Sequence, residues 1–312
     1  MIVKGAVSIG LLGLLLARAD TAGLLATFRA MDLSRFSLAA LLLALGLVLS
    51  CARWRVLLVA AGIRVPFRRL LAYYFEGTFF SLLLPTVIGG DVVRGYRLWR
   101  GAVGGSASYA SIVVERFTGL VGLTLIAAAA LAAGWGPRGG DPIVTTLVVG
   151  LMAGTLMAVT LVLDGRLLTL LLRGLERLGL TRLQEAFRRF ADALLRYRLH
   201  PGALLWAIGI SVLFQAQLVV IYFVLARALA LPVSLADLCL YVPLLGVASM
   251  VPLSLAGLGV RDGMGVYLFA QIGLPAAAAL GLTLSWFLVM IAGSLPGALV
   301  FLLLRRPMSD DR

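Results

Sequence analysis

The sequence predicts an all-α, polytopic membrane helical bundle with about six spans and two re-entrant broken-helix hairpins in inverted repeats. Three observations carry that reading. Of 312 residues, 62% are hydrophobic and only 13% charged, whereas a soluble domain is roughly half apolar and a quarter charged. Apolar runs of about 18 to 25 residues recur, each long enough to cross roughly 30 Å of hydrocarbon. Two of the runs are broken by proline and glycine in matching places.

The first segment, Val3 to Ala17, carries Lys4 at its start and ends in Ala17-Arg18-Ala19, a faint likeness to a signal-peptide cleavage site. A multi-pass chain needs no cleaved signal, so the segment reads as a span. Apolar stretches follow at 37–60, 70–88, 107–134, 143–163, 202–230, 236–256, 262–274 and 276–304. Pro85, Gly89 and Gly90 interrupt one of them, and Pro252, Gly257 and Gly259 interrupt another.

Arginine orients these segments, because loops that stay in the cytoplasm collect basic residues. The loop at 164–201 carries Arg166, Arg173, Arg177, Arg182, Arg188, Arg189, Arg196 and Arg198, and the C-terminus carries Arg305 and Arg306. Both belong inside. The loop at 135–142, with Arg138 against Asp141, fits the outside. Walking back, 61–69 (Arg64, Arg68, Arg69) and 97–105 are both cytoplasmic, so 70–96 enters from and returns to that face. By the same walk, 236–274 enters and leaves from the outside. The expected organisation is a single membrane domain over 1–312. Its first repeat is 37–134 with hairpin 70–96, and its second is 202–304 with hairpin 236–274. A cytoplasmic amphipathic connector at 164–201 joins them. The protein is expected in the cell (inner) membrane, multi-pass, with both termini cytoplasmic.

Within the connector, Leu183, Phe187, Phe190, Leu194 and Tyr197 recur at spacings of three and four, with arginines between them. Such a helix lies in the headgroup layer, or it packs on other cytoplasmic loops. The pattern leaves both open.

The formal charge of +13 is explained by the loops. Nucleic acid is not an expected partner, because no basic stripe is interleaved with the aromatic residues on which single strands stack. Cys51 and Cys239 have neither metal nor disulfide spacing, and His200 precedes Pro201 as a loop residue. No metal and no cofactor is expected.

The hairpins share a pattern. Pro85-Thr-Val-Ile-Gly-Gly90-Asp-Val-Val93-Arg94 and Pro252-Leu-Ser-Leu-Ala-Gly257-Leu-Gly-Val260-Arg261 both read Pro-x4-Gly-x2-Val-Arg, with the prolines 167 positions apart. Paired, broken apolar segments in corresponding places mark an inverted-topology repeat and its binding site. Broken backbone at membrane depth is tolerated only against protein or a wet cavity. A helix that restarts there presents free N–H groups and a partial positive charge, which suit an anion. The expected phosphate-binding set is Gly89, Gly90, Asp91 and Arg94 with Gly257, Gly259, Arg261 and Asp262. A guanidinium one turn past the glycines forks onto phosphate oxygens. Glu76, Glu115 and Arg116 are supporting charges at membrane depth, where such groups line a cavity or pair with each other. Asp91 and Arg94 share a helical face, while the neighbours Glu115 and Arg116 point apart. Pairing that only holds the hairpins in place is the structural alternative. Tyr73, Tyr74, Tyr96 and Trp99 read as interface anchors.

These residues resemble the integral-membrane, flippase-like region of the lysylphosphatidylglycerol synthases. The likeness rests on Phe79-Phe80-x4-Pro85-x3-Gly89-Gly90-Asp91-x2-Arg94-x-Tyr96, on Glu115-Arg116-x2-Gly119, and on Pro252-x4-Gly257-x-Gly259-Val260-Arg261-Asp262. It runs from about residue 5 to 304. Asp262 stands where many relatives are expected to have glutamate. The resemblance implies a lipid translocator without the soluble aminoacyl-transferase domain found in full-length members, since the sequence ends at Arg312.

The expected function is therefore translocation of phospholipid or polyprenyl-phosphate lipid, with headgroup phosphate held between the hairpins and no catalysis by this chain. Two rivals remain. One is a membrane subunit presenting lipid to a separate glycosyl- or aminoacyl-transferase. The other is an ion- or proton-coupled small-molecule transporter using Glu76, Asp91, Glu115 and Asp262. Oligomeric state is not legible.

Overall fold

The computed structural model describes residues 20–83, 89–101, 105–135, 141–177, 180–250 and 257–304, with Gly10, Leu11, Gly13 and Leu15 of the first segment. Every described element is a helix. Most of the Val3–Ala17 span, the hairpin tips around Pro85 and Pro252, and the C-terminal arginines lie outside these residues.

Aspartates start several helices by accepting hydrogen bonds from otherwise unpaired N–H groups. Asp20 accepts from the Ala22 N–H and opens α1 (Thr21–Arg29). Asp32 accepts from Ser34 and Arg35 at the head of α2 (Leu33–Ala60). After α3 (Phe67–Leu83), α4 (Gly89–Gly101) and α5 (Gly105–Ala132), Asp141 caps α6 (Pro142–Asp164), whose first residue is a proline that needs no donor there. Gly165, at φ +74°, ends α6 in the left-handed conformation. α7 (Arg166–Arg177) and α8 (Thr181–Leu195) follow, then a 3-10 turn at Arg196–Leu199. α9 (Pro201–Ala228), α10 (Leu235–Met250), α11 (Val260–Ala270) and α12 (Ala276–Leu304) complete the chain.

Among the described residues, five helices are long and apolar enough to span a membrane: α2, α5, α6, α9 and α12. The described parts of the two broken segments are shorter. At 1.5 Å per residue, α3 and α4 reach only about 26 and 20 Å, and α10 and α11 about 24 and 17 Å, against roughly 30 Å of hydrocarbon. α3 and α4 pack on each other, as do α10 and α11. α1 and α7 go beyond the sequence expectation: α1 is short, and the periodicity of the connector points to Leu183–Tyr197 alone.

The packing scheme is paired. α2 packs on α9. α5 packs on α9, and α12 on α2. α3 meets α12, and α10 meets α5. α4 rests on α5, and α11 on α12. If α2, α3, α4 and α5 are exchanged for α9, α10, α11 and α12, the α2–α9 pairing maps onto itself and each of the others onto another of the set.

The apolar face of the connector is spent largely on protein. Ala191, Leu194 and Tyr197 are buried with Leu57, Ala110, Val114, Leu168 and Ala207, and Phe187 and Phe190 pack beside them. Leu183, at the start of that row, stays 54% exposed. α7 keeps Leu167, Leu170 and Leu171 exposed on its outer side.

Candidate functional site

α2, α3, α4 and α5 bring seven charged side chains together. Glu115 of α5, 1% exposed, is the hub. Its Oε1 accepts from Arg53 Nη2 at 2.9 Å and from the Tyr74 hydroxyl at 2.9 Å, and its Oε2 accepts from Arg94 Nη1 at 3.0 Å. Arg94 Nη2 also donates to Asp91 Oδ1 at 2.6 Å, the contact expected of residues three apart on a helix. The other oxygen of Asp91 accepts from Arg116 Nε and pairs with its Nη2, both at 2.7 Å. Beside this chain, Arg97 grips Glu76 with two nitrogens, at 2.6 and 2.9 Å. So Glu115 and Arg116, although they point to different partners, close one network through Arg94 and Asp91.

Aromatic rings complete the cage. The Arg94 guanidinium lies 4.3 Å from the Tyr74 ring centroid and 4.9 Å from that of Trp54, placing the cation over two π-faces. Trp54, fully buried, donates its N–H to Ser111 at 3.0 Å. Arg53 reaches across to α9, where Ser211 Oγ accepts at 3.0 Å. Sequence reasoning missed Arg53, Arg97 and Trp54. The signal for Arg53 was present, an arginine within an apolar run with Arg55 two residues on. Tyr74, read as an interface anchor, is instead a ligand of Glu115.

Outside the Glu76–Arg97 pair, and among the described residues, three guanidiniums meet two carboxylates, an excess of one positive charge. Its interior members are sealed: Arg94 is 4% exposed and Asp91 7%. The Arg116 side chain is 44% exposed. Asp91 and Arg116 form the polar end of a cavity of about 360 Å³. Its walls are apolar residues of α5, with Val92 of α4 and Met250 at the end of α10. Arg116 is eleven residues into α5, about 16 Å along the axis, and thus near the middle of a span.

The second hairpin differs. Arg261 and Asp262 are 1% and 0% exposed and pair with each other at 2.9 Å. Arg261 also donates to the Thr283 carbonyl at 3.3 Å. Asp262 Oδ2 accepts from the Gly259 N–H at 2.9 Å, so this helix start is already occupied by its own carboxylate. The arginine of each hairpin reaches the span that follows it, but α5 offers a carboxylate and α12 a neutral carbonyl.

The glycines also divide. Gly257 and Gly259 have φ of +79° and +88°, a left-handed backbone that glycine adopts without strain. Gly89 and Gly90 are helical. Gly90 is needed for contact instead: a Cβ there would overlap the Gly77 carbonyl oxygen and Ser81 Oγ of α3. Small residues at such crossings let backbones approach.

The geometry is that of a membrane protein with a net-positive centre beside an apolar chamber. No curated protein and no solved structure matches the chain significantly. One family model does match, described as the lysylphosphatidylglycerol synthase TM region, over residues 1–297. The chain therefore belongs to the family of lysylphosphatidylglycerol synthase TM regions and is a multi-pass, lipid-associated membrane protein.

Proposed function

We propose that the protein translocates a phosphate-bearing lipid across the cell membrane, with the headgroup engaging the Asp91–Arg116 edge. The observation that carries this reading is the net-positive ion cluster. It lies near mid-span and opens through a half-exposed guanidinium into a 360 Å³ cavity with apolar walls. A headgroup phosphate complements the excess charge and binds a guanidinium through two parallel N–H···O contacts. Its acyl chains stay against apolar wall or bilayer.

The hairpins are re-entrant in this reading, entering from opposite faces. The short arms, the matched Pro-x4-Gly-x2-Val-Arg pattern and the paired helix contacts support it. Inverted repeats of this kind move a substrate by rocking one half against the other around a central site. The two halves then have unequal roles: the first presents charge to the substrate, and the second, with its closed Arg261–Asp262 pair, is a neutral counterweight. Coupling to protons or cations is disfavoured, because Glu76, Asp91, Glu115 and Asp262 are each ion-paired to a guanidinium. The chain acts as a carrier rather than an enzyme, with both termini in the cytoplasm.

Reconstitution in liposomes with labelled lipids tests this. Wild type is expected to move phosphate-bearing lipids. Arg116→Gln, which keeps the side chain long and polar but removes the charge, is expected to slow that movement at least tenfold. Unchanged movement in Arg116→Gln would sink the assigned site, and no lipid movement by wild type would sink the function.

A further inference from the structure

A second concave site lies at the arginine-rich face of the molecule, away from the ion cluster. The end of α2, the start of α5, α8 and the 3-10 turn enclose a cleft of about 930 Å³. Its chemistry comes from Arg189, Asp192, Arg196, His200, Trp99 and Tyr197. Most of the remaining lining is alanine, glycine and serine, which leaves the floor unobstructed.

Depth follows from helix length. α2, α5 and α9 each have 28 residues, about 42 Å of helix for roughly 30 Å of hydrocarbon. Their ends therefore project into the headgroup layer, and α2 ends while α5 and α9 begin beside this cleft. Position on α8 is just as informative. Arg189 and Asp192 on α8 and Arg196 at its C-cap are spaced by three and four, and all three line the cleft. All three are exposed, and neither arginine has an ion pair among the described residues. Two cations against the single carboxylate of Asp192 leave the cleft net positive, which at headgroup depth favours an anion.

The cleft and the Arg116 cavity share α5 as a wall. On the cleft side it is Gly105, Ser106 and Ala107; one turn deeper, Tyr109 begins the wall of the cavity that holds Arg116. From Ser106 to Arg116 is ten residues, about 15 Å.

We propose that this cleft binds the phosphate of a lipid headgroup through Arg189 and Arg196, as the loading position for the Asp91–Arg116 edge. The proposal rests on the translocator reading and adds a second, separate site to it. Phosphate chemistry alone is shared by lipid headgroups and by soluble phosphate compounds, so the test separates them.

A fluorophore on Ala186→Cys, an exposed position lining the cleft, reports occupancy in a Cys239→Ala background; Cys51 is fully buried. The purified full chain in neutral detergent is titrated with dihexanoyl phosphatidylglycerol and, separately, with inorganic phosphate. The expected result is saturation by the short-chain lipid, competition by phosphate, and a midpoint raised at least tenfold in Arg189→Gln/Arg196→Gln. Arg189→Lys/Arg196→Lys should recover part of the affinity, and Arg116→Gln should leave the midpoint within threefold. Saturation by phosphate without any response to lipid overturns the headgroup assignment in favour of a soluble ligand. Absence of response to both, or a midpoint insensitive to the two arginines, overturns the site. If liposome assays still show lipid movement in that case, the translocator reading survives without this cleft; if they show none, both fail.

Discussion

At the residue scale, burial decides which arginines hold the fold and which face a ligand. Arg94 donates to both Asp91 and Glu115 under two aromatic rings, and its removal takes a guanidinium from two buried carboxylates at once, leaving Glu115 with Arg53 and Tyr74 and Asp91 with the half-exposed Arg116. Removing one partner of a buried pair costs about 3–5 kcal/mol, far more than the net worth of the pair. Arg94→Ala is therefore expected to lower the midpoint of denaturant unfolding in detergent sharply, and Arg261→Ala similarly. Arg116→Gln breaks a half-exposed pair, for which solvent screening leaves at most about 1 kcal/mol. A midpoint for Arg94→Ala as high as that of Arg116→Gln would show that the cluster does not hold the helices together. The contrast also fixes experimental strategy: loss of transport in an Arg94 or Arg261 variant reports on folding first, whereas Arg116 reports on the cavity.

Elements meet where glycine lets them. The α3–α4 crossing brings Gly77 and Gly90 backbone to backbone, and Gly297 of α12 meets the Phe75 carbonyl of α3 in the same way. A methyl group at Gly90 has no flexible side-chain end to push aside, only the Gly77 backbone and Ser81. Overpacking of that kind costs about 1–3 kcal/mol or more, so Gly90→Ala is expected to destabilise by at least that amount in thermal unfolding. A methyl group added at Gly150 of α6 would meet nothing within 4 Å. There the substitution removes only a poor helix former, and Gly150→Ala is expected to stabilise by about 0.5–1 kcal/mol. Equal effects at the two positions would refute the packing account of the hairpin.

For the whole molecule, the pairwise exchange of α2–α5 with α9–α12 and the distribution of arginine lead to one topological prediction. The α2–α3 turn and the α9–α10 turn occupy corresponding places in the two halves, so inverted repeats put them on opposite faces. In intact cells, a membrane-impermeant maleimide is expected to label Ser234→Cys and to spare Ala61→Cys, both exposed positions. Labelling of both from one side would mean parallel repeats, and the opposite-face entry of the hairpins would fall with it.

Much of this architecture was legible in the sequence. Helix positions follow from apolar run length and from Asp and Pro at helix starts, which are local properties: the apolar stretch at 37–60 falls within α2, 143–163 within α6, and 276–304 coincides with α12. The Asp91–Arg94 contact was readable too, because three residues along a helix fix the geometry. The sequence by itself also determined that the chain is a membrane bundle of this family, since solvent preference and motif spacing need no tertiary information. Only the tertiary structure decided how the charges are shared. Arg53, Tyr74, Arg94 and Glu115 stand on α2, α3, α4 and α5 in turn, and which of them meet depends on helix crossing and rotation. It likewise decided that Gly90 serves close approach while Gly257 and Gly259 serve backbone conformation, and that Arg261 is sealed by its own neighbour while Arg116 faces a cavity. Those distinctions arise from burial, and burial belongs to the packed molecule rather than to any one segment.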